Sequence, residues 1–405
     1  MLKVEMLSTG DEVLYGQIVD TNAAWLADYL FNQGLPLSRR NTVGDNLNDL
    51  IAILKERSFE ADILIVNGGL GPTSDDLSAL AAATAAGVEL VEHAEWLKTM
   101  EAFFASRGRV MAPSNRKQAL IPAHSEMIDN PVGTACGFAM QLNRCLIFFT
   151  PGVPSEFKEM VAREIIPRLQ ARFTLPEPPI CLRLTTFGRG ESDLAQSLDP
   201  LELPDEVVMG YRSSMPIIEL KLTGPATQRT AMEAIWPEVR RVAGDSLIFE
   251  GTEGLPAQIA RRLREQSLTL TVSEQFTGGL LALQLGRESA PLLASEVLPT
   301  QVQTFTDTLD YGISWREKQA ADIALVISGT VDEQVNFVLT TSNDSYGLGV
   351  QFGISHHSLS TRQEVCALMA LNMLRRWMNG EKLAVDHGWV NVVKSINCSL
   401  IETHD

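Results

Sequence analysis

The chain has 405 residues, with 33 Lys and Arg set against 50 Asp and Glu, for a formal net charge of −17. That length predicts two or three domains, and so acidic a balance excludes broad binding to nucleic acid or to an anionic membrane, because phosphate surfaces demand concentrated Lys and Arg. No apolar run approaches a membrane span, Met1 leads into a strand-like segment rather than a signal peptide, and the five scattered cysteines lack a C-x-x-C pair, which together predict a cytoplasmic protein with buried free thiols.

In chain order, Val4 to Leu7 reads as a strand and runs into Ser8-Thr-Gly10-Asp-Glu12. Asn22 to Gln33 reads as an amphipathic helix stopped at Gly34. Asp45 sits in Val43-Gly-Asp-Asn46 after a second strand, and Leu47 to Arg57 is the next helix. Ile63 to Val66 is short, apolar and β-branched, as a strand buried on both faces requires. It ends in Gly68, Gly69 and Gly71, where a backbone without Cβ can turn sharply and approach a ligand. Thr73, Asp75 and Asp76 follow; if the loop is only a turn, Ser74 or Asp75 caps the helix after it. Glu95 to Ser106 is helical. Asn115-Arg116-Lys117 brings two cations suited to phosphate oxygens, or else to a solvated helix start. Asn130-Pro-Val-Gly133-Thr134-Ala135 and Pro151-Gly152-Val-Pro-Ser155-Glu156 flank a strand over Cys145 to Phe149. The second of these loops opens a long helix over Ser155 to Phe173, whose N-terminus is either an anion site or a capping box.

Repeated βα units predict an α/β domain, with a mainly parallel sheet covered by helices on both sides and ligands at the carboxyl ends of the strands. Three strand ends there offer Glu12, Asp45 and Asp76. Acids beside glycine loops predict a phosphate ligand bridged by a divalent cation (Mg, Mn or Co), which would polarise a phosphoryl group. The loop is neither a Walker A nor a dinucleotide fingerprint, since no Gly-Lys-Ser/Thr and no G-x-G-x-x-G is present there.

Leu175-Pro-Glu-Pro-Pro179 reads as a stiff linker. Strands over Cys181 to Thr186 and Ile217 to Leu222, with helices over Glu191 to Leu198 and Arg229 to Val242, predict a small α+β middle domain. Arg212 and Lys221 are too few and too surrounded by acids to make it a nucleic-acid module. Beyond Gly251, strands over Leu268 to Val272 and Ile323 to Ile327, with helices over Gly278 to Leu285 and Thr361 to Met378, predict a third α/β domain. The resulting division is 1–172, 173–250 and 251–405. Met369, Met373, Leu374 and Trp377 have the spacing of a helix core. Arg375-Arg376 reads as a solvated helix end, and the adjacent His356 and His357 diverge too much for a metal pair.

The segments Ser8-Thr-Gly-Asp-Glu-Val-Leu-Tyr-Gly-Gln-Ile-Val-Asp-Thr-Asn22, Gly68-Gly-Leu-Gly-Pro-Thr-Ser-Asp-Asp76, Asn115-Arg-Lys-Gln118, Asn130-Pro-Val-Gly-Thr134 and Pro151-Gly-Val-Pro-Ser-Glu156 resemble the signature of the CinA family. The similarity runs through the whole chain in order. It implies a first domain with the molybdopterin-binding fold of MogA, MoaB and MoeA, whose ligand-site acids match Glu12, Asp45 and Asp76. It also implies metal-dependent ADP-ribose pyrophosphatase activity in that domain, a nucleotide as partner, and a homodimer or other homo-oligomer. The alternatives are deamidation of nicotinamide mononucleotide in pyridine nucleotide recycling, and non-catalytic binding of a nucleotide or molybdopterin.

The third domain departs from the family pattern. Amidase-active relatives carry Ala-Glu-Ser-Cys-Thr-Gly-Gly with a nucleophilic serine, and here the stretch is Ser273-Glu-Gln-Phe-Thr-Gly-Gly279. Gln275 stands at the serine position and cannot be acylated. Glu296-Val-Leu-Pro-Thr-Gln301 replaces the Tyr-Ser-Asn-x-x-Lys segment, and a Thr-Gly-Ile-Ala-Gly-Pro loop is cut to Ile327-Ser-Gly-Thr330. Displaced nucleophiles at Ser273 or Ser295 are a remote alternative, so the amidase-like domain is expected to be inactive.

Overall fold

The computed structural model describes residues 2–301, 303–331, 334–353, 357–385, 387–388 and 390–399. It divides into two compact units, Met1–Pro179 and Ile180–Asp405. His356 lies outside the described residues. Among those residues no helix is long and apolar enough to cross a membrane.

The first unit runs β1 (Val4–Thr9), α1 (Asp11–Leu14), α2 (Thr21–Phe31), β2 (Leu37–Val43), α3 (Leu47–Glu60), β3 (Ile63–Asn67), α4 (Ser78–Ala86), β4 (Leu90–Glu92), α5 (Ala94–Ser106), β5 (Leu120–Pro122), β6 (Glu126–Ile128), β7 (Gly137–Leu142), β8 (Cys145–Thr150), α6 (Pro154–Met160) and α7 (Ile166–Arg172). Its main sheet has the order β2-β1-β3-β8-β7-β6. The β2-β1, β1-β3 and β3-β8 pairs are parallel, and β7 and β6 complete it as an antiparallel edge.

Alternation along the buried strands sends side chains to two cores. Leu64 and Val66 of β3 join Leu50 and Leu54 of α3 and Trp96 of α5 on one face. Ile63 and Ile65 join Leu26 and Leu30 of α2 and Phe157 of α6 on the other. Because α2 and α3 cover opposite faces, the connections reverse across β1 and β3, which places a crevice beyond their carboxyl ends.

The helix expected from Ser155 to Phe173 is interrupted by a π turn over Val161–Ile165. Pro167 has no N–H to give to the turn before it, and the wider turn accommodates its ring.

The second unit begins with β9 (Ile180–Phe187), α8 (Glu191–Leu198), β10 (Val208–Ser214), β11 (Ile217–Gly224), α9 (Arg229–Ala243) and β12 (Leu247–Glu250), which build an antiparallel sheet of order β10-β11-β9-β12. It continues through α10 (Leu255–Glu265), β13 (Leu270–Glu274), α11 (Leu280–Arg287), β14 (Leu292–Val297), α12 (Phe305–Gln319), β15 (Ile323–Val331), β16 (Gln334–Thr340), β17 (Asp344–Phe352), α13 (Leu359–Met378) and β18 (Val390–Ser399). The second sheet has the order β14-β13-β15-β16-β17-β18, parallel only around β13. The first sheet has a core of its own, around Leu184, Leu220 and Trp236. Phe187 and Ile248 from that sheet also share a core with Val272, Phe337 and Met373.

Arg375 and Arg376 are not a solvated helix end. They are 9% and 4% exposed, and Arg376 pairs with Asp245 at 2.8 Å and with Glu381 at 3.5 Å. Their helix is buried on most sides, so charges at its end face protein and take protein counter-ions. Among the cysteines, Cys136, Cys145 and Cys366 are buried free thiols, whereas Cys181 and Cys398 are half-buried.

Candidate functional site

The crevice is a cleft of about 500 Å³ lined by Gly10, Glu12, Asp45, Gly68, Gly69, Gly71, Asp76, Thr134 and Gly152, together with Asp20, Asn22, Asn67, Gln118 and Glu156. Of the residues singled out in the sequence, Thr73, Asn115, Arg116, Lys117, Gly133 and Ser155 lie outside its lining.

The glycine loop has to be glycine. Gly68 and Gly69 take φ of 112° and 69°, a region that side chains rarely enter. A Cβ on Gly68 would lie 2.5 Å from Thr9 Oγ1, and one on Gly71 2.5 Å from Asp76 Oδ2. Gly68 N donates to Thr150 O at 2.9 Å, and Ser78 Oγ donates back to Gly68 O at 2.8 Å. The next helix therefore begins at Ser78, later than a cap at Ser74 or Asp75 requires. Asp76 instead accepts from Thr73 N at 2.8 Å and Thr73 Oγ1 at 2.5 Å, closing the loop on itself.

A polar lattice joins the strand ends. Asn67, the last residue of β3, donates to Pro151 O at 2.7 Å and accepts from Asn22 Nδ2 at 3.0 Å. Asn22 also donates to Gly152 O at 2.8 Å. Asp20 caps α2 through Ala23 N at 2.8 Å and accepts from Ser8 Oγ at 2.6 Å. Asn130 shapes its own loop by accepting from Gly133 N at 3.0 Å, and donates to Glu156 Oε2 at 2.7 Å. Asn67 lies outside every segment singled out in the sequence, and for Asp20, Asn22 and Asn130 the sequence names the segment without the role. A polar Asn closing an apolar strand, and the Asp-Thr-Asn run before α2, were the signals available.

The acids occupy one cleft without forming a closed cage. Glu12 folds back over Gly10, its carboxylate 2.8 Å from where a Cβ on Gly10 would lie. Burial raises the Asp45 pKa, and the nearby Asp11, Glu12 and Asp75 carboxylates raise it further, while the Asp11 amide pulls it back. Among the described residues, no three His, Cys, Asp or Glu side chains are grouped closely enough to hold a metal ion alone. The oxygen donors do fit one kind of ion, since Mg²⁺ is commonly bound by one or two carboxylates and completed by water and substrate phosphates.

The cations point elsewhere. Arg116 Nη2 donates to both carboxylate oxygens of Glu92, at 2.9 and 3.0 Å, and Lys117 Nζ donates to Thr73 O. Asn115 donates to Gln118 Oε1 at 3.2 Å. Ser155 is exposed, and α6 is preceded by Val153 with no side-chain cap, so the capping box is absent there.

In the second unit, Gln275 is 5% exposed. Its Oε1 accepts from Gln301 N and Gly329 N, each at 3.0 Å, and its Nε2 donates to Gln303 at 2.8 Å. Glu274 is fully buried and accepts from Leu281 N and Ala282 N at the start of α11. Ser273 Oγ donates to Glu296 Oε1 at 2.8 Å, and the Tyr311 hydroxyl donates to the same oxygen. Burial and that carboxylate push the Tyr311 phenol up to about 12. Ser273 is buried, at 1% exposed.

A family model described as a probable molybdopterin binding domain matches residues 5–171. A CinA-like protein from Shigella flexneri is 68% identical over 400 residues, covering 99% of this chain and 100% of its own length. The NMN amidohydrolase-like protein YfaY of Escherichia coli strain K12 is similar to the same extent. Among solved structures, the protein CinA of Thermoplasma acidophilum, described as of unknown function, is 27% identical with a TM-score of 0.38, covering 42% of this chain and 96% of that one. Identity at this level across the whole length settles the family: the chain belongs to the CinA family.

Proposed function

We propose that the N-terminal unit hydrolyses the pyrophosphate of a nucleotide diphosphate of the ADP-ribose type. The observation that carries this reading is the crowding of carboxylates around Asp45 beside a glycine loop at the strand ends. Negative charge packed this way is relieved by a cation, and a phosphate is the ligand such a cation brings. Glu12 and Asp45 would hold a divalent ion (Mg, Mn or Co), with Asp76 fixing the loop opposite them. When bound, it would polarise the phosphoryl group and lower the pKa of a bound water. The chain's own part is to position. Gly68 to Gly71 let the phosphates approach the backbone, and Gly152 and Val153 set the positive end of the helix run over 154–172 against the cleft.

Incubating the purified protein with ADP-ribose and each metal, then separating AMP and ribose 5-phosphate by chromatography, tests this. A folded protein that binds ADP-ribose and releases no AMP with any metal is a non-catalytic binder. Deamidation of nicotinamide mononucleotide is supported by the name of the Escherichia coli relative, an NMN amidohydrolase-like protein. Gln275, locked on two backbone amides, argues against it, and we infer an inactive amidase-like region.

A further inference from the structure

The sheet β10-β11-β9-β12 has an unpaired outer strand and one charged face. β10 is its edge. Met209 and Tyr211 of that strand pack into the helix-side core with Leu220, so alternation puts Val208, Gly210 and Arg212 on the opposite face. The register sets Gly210 against Lys221 and Arg212 against Glu219. On this face Glu219 is shared by Lys221 at 2.9 Å, Arg212 at 3.7 Å and Arg183 at 3.8 Å. One carboxylate among three cations leaves a local positive excess, on a chain whose net charge is −17.

The edge is open to a ligand along its length. The Arg212 side chain is 67% exposed, and its 3.7 Å approach to Glu219 is too long for a hydrogen bond, so its guanidinium donates none among the described residues. A Cβ on Gly210 would meet nothing nearer than Lys221 Cβ at 3.8 Å, which leaves an open floor beside that lysine. Val208 is an exposed apolar residue, and Asp205 and Glu206 just before it keep further acids from that end. A charge on an edge strand guards it against pairing with other chains. This guard selects by sign, repelling a basic segment and accepting an acidic one. An added strand takes affinity from main-chain hydrogen bonds and specificity from alternate side chains. We infer that β10 receives an extended acidic segment of a partner protein as a further strand. One carboxylate lies opposite Arg212, a second opposite Gly210 beside Lys221, and an apolar side chain opposite Val208. Same-face positions are two apart, so the segment reads Val-x-Glu-x-Glu or its reverse. A nucleic acid would meet the same cations, but it lacks the peptide ladder that a strand edge pairs with, and so acidic a chain repels it.

Titration calorimetry of the full-length protein with the peptide Thr-Val-Thr-Glu-Thr-Glu-Thr and its reverse tests this. At least one should bind, and counterparts with Lys in place of both Glu should not. Arg212→Glu, at an exposed position, should fold and weaken the acidic peptide roughly tenfold or more, the scale of a charge reversal at an interface. Arg212→Lys, which keeps the charge, should retain binding. Peptides N-methylated at alternate amides separate strand addition from plain charge attraction: methylation in one phase should abolish binding and in the other spare it. Failure of both acidic peptides to bind at about 1 mM, or equal binding of acidic and basic ones, overturns the inference. Indifference to Arg212→Glu overturns it as well, and so does equal binding in the two methylation phases. Oligothymidylate binding tighter than the acidic peptides, and lost in Arg212→Glu, would overturn it in favour of nucleic acid.

Discussion

Asp11 and Asp45 hold each other from both sides: Asp11 N donates to Asp45 Oδ2 at 3.1 Å, and Asp45 N donates to Asp11 Oδ1 at 3.2 Å. The loops after β1 and β2 are pinned by this exchange, which also forces two carboxylates into proximity.

The first prediction follows from that proximity. The folded-state pKa of Asp45 is raised, so its contribution to stability is fully present below the unfolded carboxyl range and is lost as pH rises through the folded value. At neutral pH the ionised group is therefore a net cost. Asp45→Asn keeps the acceptor for the Asp11 amide and removes the charge. Asp45 is half-buried near the surface, where carboxylate interactions are worth about 1 kcal/mol, so Tm should rise by no more than about 2–4 °C at pH 7 and be unchanged at pH 3. Added Mg²⁺ should raise Tm of the wild type more than that of the variant, and the variant should release no AMP from ADP-ribose. Thermal melts with and without metal at both pH values check it; equal metal response in the two proteins removes Asp45 from the cation site.

Arg116 supplies a second prediction. The sequence offers it as a phosphate ligand or as part of a solvated helix start, and in the structure its guanidinium is occupied by Glu92 outside the cleft. The pair is about half exposed, so Arg116→Ala should cost no more than about 0.5–1 kcal/mol and leave KM for the nucleotide unchanged. A several-fold rise in KM would return Arg116 to the ligand.

The buried pair between Arg57 and Glu5 behaves differently. Arg57 Nη1 lies 3.2 Å from Glu5 Oε1, with both side chains 5% exposed. Removing one partner strands the other charge in the core, so Arg57→Ala should cost about 3–5 kcal/mol. The double change Arg57→Met with Glu5→Leu should recover most of it, because two apolar residues leave no charge behind. Urea midpoints of the three proteins decide the matter.

The sequence revealed the parallel core and the cleft because their signals are local. Ile63 to Val66 is short, apolar and β-branched, as a strand buried on both faces requires, and Gly68 and Gly69 announce a turn with positive φ. The lattice of Asn22, Asn67 and Gly152 was not legible, since it joins residues up to 130 positions apart. Direction was equally hidden: nothing beside Arg116 in the chain says that Glu92, on a neighbouring strand, will take its charge. The buried Arg376 was misread for the same reason, as its partner Asp245 is 131 residues away.

The last prediction concerns Gln275. Its side-chain oxygen takes the amide hydrogens of Gln301 and Gly329, and its Nε2 reaches Gln303, so one residue at the end of β13 ties the connection before α12 to β15. Gln275→Ala leaves two N–H groups without that acceptor, which should cost about 1–3 kcal/mol for each one that stays buried. Gln275→Ser is too short to span the same contacts and should be destabilised similarly. It should also fail to release ammonia from nicotinamide mononucleotide. A serine hydroxyl needs an adjacent base to become a nucleophile. The nearest candidate constellation, Ser273, Glu296 and Tyr311, is already closed on itself. Ammonia assays on the wild type and on Gln275→Ser, alongside their melting curves, test both halves. Deamidation by the wild-type protein would show that a nucleophile other than residue 275 operates there. Activity gained only in Gln275→Ser would show that the base survives and that the glutamine alone silences the site.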